Sequence, residues 1–462
     1  MNDKASDDTR HWQCETDDEG IAWLRLDKAD GSANVLSGDV LRELAGYVER
    51  FRADPPRGVV ICSGKQNGFV MGADINEFTT IRNPEEAYGL IRLGQQVLDG
   101  VEDLPCPTVA AINGFALGGG LELAMACDYR LAIENEKPII GLPEVQLGIH
   151  PGFGGTVRAV RIAGVRNAMP LMLTGKSITA ARALRQGLVD RIVAADDWRQ
   201  AARELVAARG PLSRAGLADR LLNLWPARQL LARVLQKQVA AKARRDHYPA
   251  PYAIIELWRR HGASTRGGYE AEARSIAELM CGSTSRNLVR VFFLQNRLKS
   301  QGSDDAPRVR RLHVVGAGVM GGDIAAWCAL RGLEVTLQDR EEKYVQPALE
   351  RAARLFEKRT RNPQDREAAH ARLRADVAGD GVREADLVIE AIFEDLDAKR
   401  ELYARLERDM KDGAVLATNT SSIPLEELRT GLKAPLRFIG LPFFNPVAQL
   451  PLVEVVHCED SD

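Results

Sequence analysis

The sequence has no excess of charge of either sign: 62 Lys+Arg stand against 64 Asp+Glu, a net charge of −2. Holding nucleic acid or an anionic membrane by counterion release needs a concentrated basic surface, so neither is an expected partner. Cysteine is sparse. The seven residues Cys14, Cys62, Cys106, Cys127, Cys281, Cys328 and Cys458 contain no CxxC pair, which argues against a disulfide framework and against a zinc site. No metal is expected, and a reducing, cytoplasmic setting fits. The first twenty residues, MNDKASDDTRHWQCETDDEG, offer neither a basic start nor an apolar stretch, so a secretory leader is not expected.

Long apolar runs are nearly missing as well. The exception is residues 107–127, PTVAAINGFALGGGLELAMAC, which has about the length of a membrane span. Glu122 near its middle would cost about 2.5 kcal/mol in a bilayer, and each mid-helix glycine of the triple would cost about 1 kcal/mol. The run instead predicts a buried strand over 108–112, a glycine turn, and a helix opening near Gly119. Upstream, 57–62 (RGVVIC) predicts a strand and 68–75 (GFVMGADI) a strand or loop that leads into a helix. Strands alternating with helices predict an α/β fold.

What is present in quantity is apolar residue: 45% of the chain, beside 27% charged, the mix of globular protein with ample core. At roughly 150 residues per domain the length suggests about three folding units. From about Asp196 to Ser300 apolar residues recur at helical spacing, as in Leu217, Leu221, Leu222 and Trp225, then Leu230, Leu231 and Val234, which predicts an all-helical region. Residues 299–311, KSQGSDDAPRVRR, read as a linker.

Two constellations carry chemistry. Gly316, Gly318 and Gly321 form GxGxxG after a strand at 312–315, and Asp339 follows 18 residues beyond the third glycine. Glycines let a pyrophosphate approach, a helix N-terminus supplies N–H donors, and the acid takes a ribose hydroxyl pair, favouring NAD. In the first half, Gly118-Gly119-Gly120 precede a helix bearing Glu122 on its first turn, and Gly72-Ala73-Asp74 could offer a second N–H. Two such donors are what a thioester enolate requires. Glu144, in GLPEVQLGIHPGFGG, would complete a carboxylate pair able to act as acid and base; Glu122 alone is also what helix-dipole stabilisation predicts.

The run NGFALGGGLELAMACDYRLA, with MGADI upstream and GLPEVQLGIHPGFGGTVR downstream, resembles the enoyl-CoA hydratase (crotonase) family. The run VVGAGVMGGDIA…LQD, followed by VIEAIFED, TNTSSIPL and GLPFFNPVAQLPLVEVV, resembles the NAD-binding domain of 3-hydroxyacyl-CoA dehydrogenase. Their order, around a helical region containing DHYPAP, is similar to the family of bacterial multifunctional fatty acid oxidation α-subunits over about residues 15–457. The resemblance implies a crotonase-type domain (1–195), a helical extension (196–300), a linker (301–308) and a Rossmann NAD-binding domain (309–462).

For the first domain it implies hydration of a trans-2-enoyl-CoA to a 3-hydroxyacyl-CoA, with enoyl isomerisation as a related activity. The N–H groups of Ala73 and Gly119 would form the oxyanion hole, Glu122 would activate water for Cβ, and Glu144 would protonate Cα. For the second it implies NAD as cofactor, with Met320, Asp339, Glu390, Ala391, Ser421 and Asn445 facing cofactor or substrate beside the three glycines, and Glu454 orienting a catalytic histidine. The family carries that histidine in the form G-[LM]-H-F-F-N-P; here Pro442 stands in its place. Proline has no group to take a proton, so dehydrogenation is expected to be slow. The family also continues, past the position of Asp462, into helical domains that close over the substrate, which adds to that expectation. His457 would point elsewhere, His313 is expected in the core, and His150 is expected to be structural. Acyl-CoA substrates, a thiolase β-subunit and a further copy of the chain are the partners the resemblance leaves open. The alternative reading, prompted by Pro442, is a degenerate acyl-CoA- and NAD-binding partner without turnover.

Overall fold

The computed structural model describes residues 11–29, 31–66, 68–265, 267–300, 308–450 and 452–461. Most of the expected linker, 301–307, therefore lies outside the described residues. The chain divides into two compact units, Met1–Gln301 and Gly302–Asp462.

In the first unit, β1 (Trp12–Thr16), β2 (Ile21–Leu26), β3 (Gly58–Ser63), β5 (Thr108–Ile112), β7 (Tyr129–Ile133) and β9 (Arg191–Val193) form one sheet in that order, while β4 (Gly68–Val70), β6 (Phe115–Leu117) and β8 (Ile140–Gly141) form a second. Only β1 and β2 pair antiparallel. The strand at β5, TVAAI, is buried at every position, as expected of a parallel strand covered on both faces. Three times the chain steps from the large sheet to the small one, β3 to β4, β5 to β6 and β7 to β8. That threefold step sets three loops side by side, and those loops carry the candidate residues.

Residues 107–127 resolve into β5, β6 and a helix Gly119–Ala126. Among the described residues no helix is long and apolar enough to cross a membrane. Beyond β9 the unit is helical to Ser300. The region is helical as expected, and most of its apolar stripe is not buried: Leu217, Leu221, Trp225, Leu230 and Val234 are exposed, while Leu222 and Leu231 pack against the core. Periodicity located the helices Leu217–Leu222 and Trp225–Ala240 but not what faces them. The Gly268–Met280 helix, by contrast, buries Tyr269, Glu272, Ala273, Ile276, Ala277 and Met280. It packs on the helix Pro84–Glu102 and belongs to the body of the unit.

The second unit is a six-stranded parallel sheet, β12 (Leu373–Ala375), β11 (Glu334–Gln338), β10 (Arg311–Val315), β13 (Leu387–Glu390), β14 (Val415–Thr418) and β15 (Phe438–Gly440), in that spatial order. Counted within the unit this is 3-2-1-4-5-6, the doubly wound order whose crevice opens where the winding reverses, between β10 and β13. His313 on β10 is fully buried, with Nδ1 2.8 Å from Thr336 Oγ1 and Nε2 3.1 Å from Gln338 Oε1. It is a core residue, as expected.

Candidate active site

Gly118 adopts φ +51°, a conformation that side chains disfavour, and it turns β6 into the Gly119–Ala126 helix. A Cβ on Gly120 would fall 2.1 Å from the Val70 carbonyl oxygen, so the glycines let the helix start press against β4. Gly118 N–H donates to Gly141 O at 2.9 Å. Gly119 N–H, at the first helical position, has no acceptor among the described residues, as helix geometry requires of the first amides. Across the cleft, Leu36 N–H donates to Gly72 O at 2.8 Å and Asp74 N–H to Leu36 O at 3.2 Å. This bridge leaves the Ala73 N–H between them without an acceptor among the described residues. A Cβ on Gly119 would stand 3.4 Å from the Ala73 nitrogen. The two expected donors thus line one cleft, together with Glu122, Glu144, Met71, Ile91, Phe153 and Ile276.

The two carboxylates there are treated differently. Glu122 is 2% exposed, and its Oε1 accepts from Phe153 N–H at 2.8 Å and Gly155 N–H at 2.7 Å. Burial and the negative charges of Glu144 and Glu272 push its carboxyl up, while the two amides favour the anion. Glu144 sits on the short helix Pro143–Leu147. As a residue it is partly exposed, yet both its carboxylate oxygens are buried and neither has a hydrogen-bond partner among the described residues. Desolvation raises its carboxyl to about 8. Both carboxyls are thus pushed above the ordinary carboxylate range, and they differ in their partners: Glu122 accepts two amides, Glu144 none among the described residues.

The sequence reading missed what fastens this cleft. Glu272, fully buried on the Gly268–Met280 helix, accepts from Gly154 N–H at 2.6 Å, Thr156 N–H at 3.0 Å and Gln95 Nε2 at 3.0 Å. From the same helix Ser275 meets His150 Nε2 at 2.9 Å, while His150 Nδ1 lies 2.7 Å from Pro151 O. A carbonyl only accepts, so Nδ1 carries the proton; burial lowers this imidazole to about 4, so it stays neutral and holds the loop. One signal was available: a glutamate among the helical apolar positions Tyr269, Ala273 and Ile276 is a charged residue on a core face.

In the second unit the chain reversal brings Gly316 beside Ala391: Ala391 N–H donates to Val315 O at 2.8 Å, and a Cβ on Gly316 would meet Ala391 O at 2.6 Å. A Cβ on Gly321 would fall 1.8 Å from Gly316 O, so the turn closes only with glycine there. Gly318, where a Cβ would meet nothing within 4 Å, leaves the N-terminus of the Val319–Leu330 helix open to a pyrophosphate, with Met320 on its first turn. Asp339 accepts from Ala317 N–H at 2.8 Å, placing its carboxylate at that turn. These residues fit a dinucleotide: the glycine turn and helix amides would hold its phosphates and Asp339 a ribose. Ser421 and Asn445 are exposed on loops following β14 and β15.

Glu390 is a correction. It is fully buried, and Lys399 Nζ (2.7 Å), Ile392 N–H (2.7 Å), Tyr403 OH (2.5 Å) and Thr418 Oγ1 (2.8 Å) all donate to it. A carboxylate so enclosed faces neither cofactor nor substrate. The carboxylate at the surface of this edge is Glu394, bonded to Thr420 Oγ1 at 2.8 Å and Lys399 Nζ at 3.4 Å. Glu454 is exposed; the bridges Gly440–Val456 and Phe443–Val453 set it opposite Pro442, whose carbonyl accepts its N–H at 3.4 Å. The acid is where a histidine at 442 could reach it, and the residue at 442 is a buried proline. His457 Nδ1 is 3.0 Å from Cys458 O.

The architecture and the two sites define a two-unit α/β protein in which one unit carries a cleft lined by two glutamates and two glycine-rich turns, and the other a doubly wound parallel sheet with a glycine turn at its crevice. Residues 16–223 match the family model of enoyl-CoA hydratase/isomerase, and residues 311–462 that of the 3-hydroxyacyl-CoA dehydrogenase NAD binding domain. A fatty acid oxidation complex subunit alpha from Shewanella loihica is 37% identical over 455 residues, which is 95% of this chain and 64% of that protein. The two models match successive stretches of the chain, which spans about two thirds of the length of that α subunit. Among solved structures, an enoyl-CoA hydratase from Bacillus anthracis is 26% identical, covering 63% of this chain and 96% of its own (TM-score 0.40). A 3-hydroxybutyryl-CoA dehydrogenase from Escherichia coli is 32% identical, covering 34% of each chain (TM-score 0.33).

Proposed function

We propose that the first unit hydrates trans-2-enoyl-CoA thioesters to 3-hydroxyacyl-CoA in fatty acid β-oxidation. The observation that carries this reading is Glu144: a carboxyl with both oxygens buried and unpartnered, in one cleft with two acceptor-free amides and a second carboxylate held by amides. The thioester oxygen takes the N–H groups of Ala73 and Gly119. Glu122 removes a proton from water as its oxygen bonds to Cβ; the π electrons move onto the thioester oxygen, where each donor contributes about 3 kcal/mol. The enolate collapses as Glu144 gives its proton to Cα. Glu122 then holds a proton and Glu144 has lost one, and exchange through water restores both. The same pair can move a proton between carbon atoms, so enoyl isomerisation is an accessible side reaction.

The second unit is proposed to bind NAD through Gly316, Gly318, Met320, Gly321, Asp339 and Ala391, with Ser421 and Asn445 at the crevice. NAD supplies hydride acceptance when bound. Pro442 can neither take the proton of a 3-hydroxyl nor be oriented by Glu454, so 3-hydroxyacyl-CoA oxidation by this chain is slow. The named relative belongs to a complex, so a thiolase-type β subunit is the partner to seek by co-purification; a cytoplasmic setting accords with seven free cysteines. The test is a paired assay: loss of the conjugated enoyl-thioester absorbance with crotonyl-CoA, then NADH appearance on adding NAD. Hydration without NADH is the expected result, and absence of hydration would leave a non-catalytic binding partner as the better reading.

A further inference from the structure

We propose that Glu272 is a positioning residue for the hydration site, holding alternate backbone amides of one short segment so that the remaining ones are aimed at Glu122. The proposal rests on the hydratase reading for its kinetic consequence, although the geometry stands by itself. Four successive N–H groups are divided between two buried carboxylates: Phe153 and Gly155 donate to Glu122 at 2.8 and 2.7 Å, Gly154 and Thr156 to Glu272 at 2.6 and 3.0 Å. The alternation starts from Gly154 at φ +95°, which turns neighbouring amides to opposite sides ahead of the Gly155–Ala163 helix.

Glu272 is well fixed for the task. Its Oε1 also receives Gln95 Nε2 at 3.0 Å, its Oε2 also receives the Thr156 hydroxyl, and Gln95 further donates to Gly152 O at 3.0 Å and Tyr269 O at 2.9 Å. Arg158, fully buried, pins the segment from its other group, donating to Phe153 O at 2.7 Å while it is held by Asp99 at 2.5 Å and Glu102 at 2.8 Å. Among the described residues Glu122 receives no side-chain donor, so the orientation of its Oε1 is set by these two amides. Glu122 Oε2 has no partner among the described residues, and this is the oxygen left for water. Taking Glu272 away frees Gly154 and Thr156 to turn, and the amides that fix Glu122 turn with them. A displacement near 1 Å in an acid–base group suffices for a large rate loss.

The experiment is Glu272→Gln in the full chain, which keeps size but places an NH2 against donors. Two readouts are taken: amide deuterium exchange by mass spectrometry, and crotonyl-CoA hydration kinetics. Exchange at residues 153–156 is expected to rise about tenfold with the rest of the first unit unchanged, and kcat is expected to fall about 100-fold with KM within about threefold. Unchanged exchange at 153–156 overturns the proposal, as does a rise spread evenly over the unit, or a loss carried in KM. If wild-type protein hydrates no enoyl-CoA, the hydratase reading fails while the exchange result alone still decides whether Glu272 holds the segment. Should Glu272→Gln not fold, Thr156→Val removes one donor to Glu272 and is expected to move both readouts in the same direction by a smaller amount.

Discussion

Glu144 in the first unit and Glu390 in the second are both buried carboxylates reached from a strand end, and their surroundings are opposite. Glu144 has no donor to either oxygen among the described residues; Glu390 has four, one of them an ammonium. The first is the proton donor of the proposed hydration, and it lines the cleft. The second is an internal tie between β13, β14 and the Leu396–Asp409 helix. Burial therefore does not distinguish a reacting acid from a structural one. Unused bonding capacity does, because a carboxylate with every lone pair engaged gains nothing by exchanging a proton with a ligand.

The sharpest test of that contrast is Glu144→Gln, which keeps shape and removes the proton donor: hydration of crotonyl-CoA is expected to drop by about 10²- to 10⁴-fold, measured at the enoyl-thioester absorbance, and retention of the rate would place the acid elsewhere. Next is Lys399→Met, which leaves the Glu390 charge buried beside neutral donors; unfolding by urea should show about 3–5 kcal/mol lost in the second unit. A small loss there would mean the network is less closed than its distances indicate. Pro442→His restores a titratable group opposite Glu454, and NADH formation from 3-hydroxybutyryl-CoA is expected to rise about 10²-fold from a near-zero start.

Two smaller effects follow. The acid form of Glu144 persists below its raised value of about 8, so hydration should hold to that pH and fall about tenfold per unit above it; a fall at pH 5 on the alkaline side would contradict the assignment. Asp339→Ala removes the acceptor of Ala317 N–H and the ribose partner, and NAD affinity by titration calorimetry should weaken about three- to tenfold.

Glycine spacing and local residue type were enough to read the strand-turn-helix at residues 108–126 and the glycine turn at 316–321, while the candidates Ala73, Gly119, Glu122 and Glu144 took their roles from the family resemblance of the short runs around them. Pro442 was legible for the same reason, as a departure at one position of a local pattern. The exposed faces at Leu217, Leu221, Trp225 and Leu230 were not, because helical spacing says which residues share a side and nothing of what packs there. Nor did three steps between two sheets appear as a sequence repeat, since strands of two or three residues carry too little pattern.

The sequence by itself determined which chemistry was available: two glutamates near glycine-rich turns, a dinucleotide turn and, through the family it resembles, a proline where that family carries a histidine. Only the tertiary structure decided which carboxylates are free to use theirs. Glu272 comes from 150 positions beyond Glu122 to share its amides, and Lys399, Tyr403 and Thr418 converge to close off Glu390. Charge state and bonding capacity belong to the set of groups that folding brings within about 3 Å, and that set is not a local property of the chain.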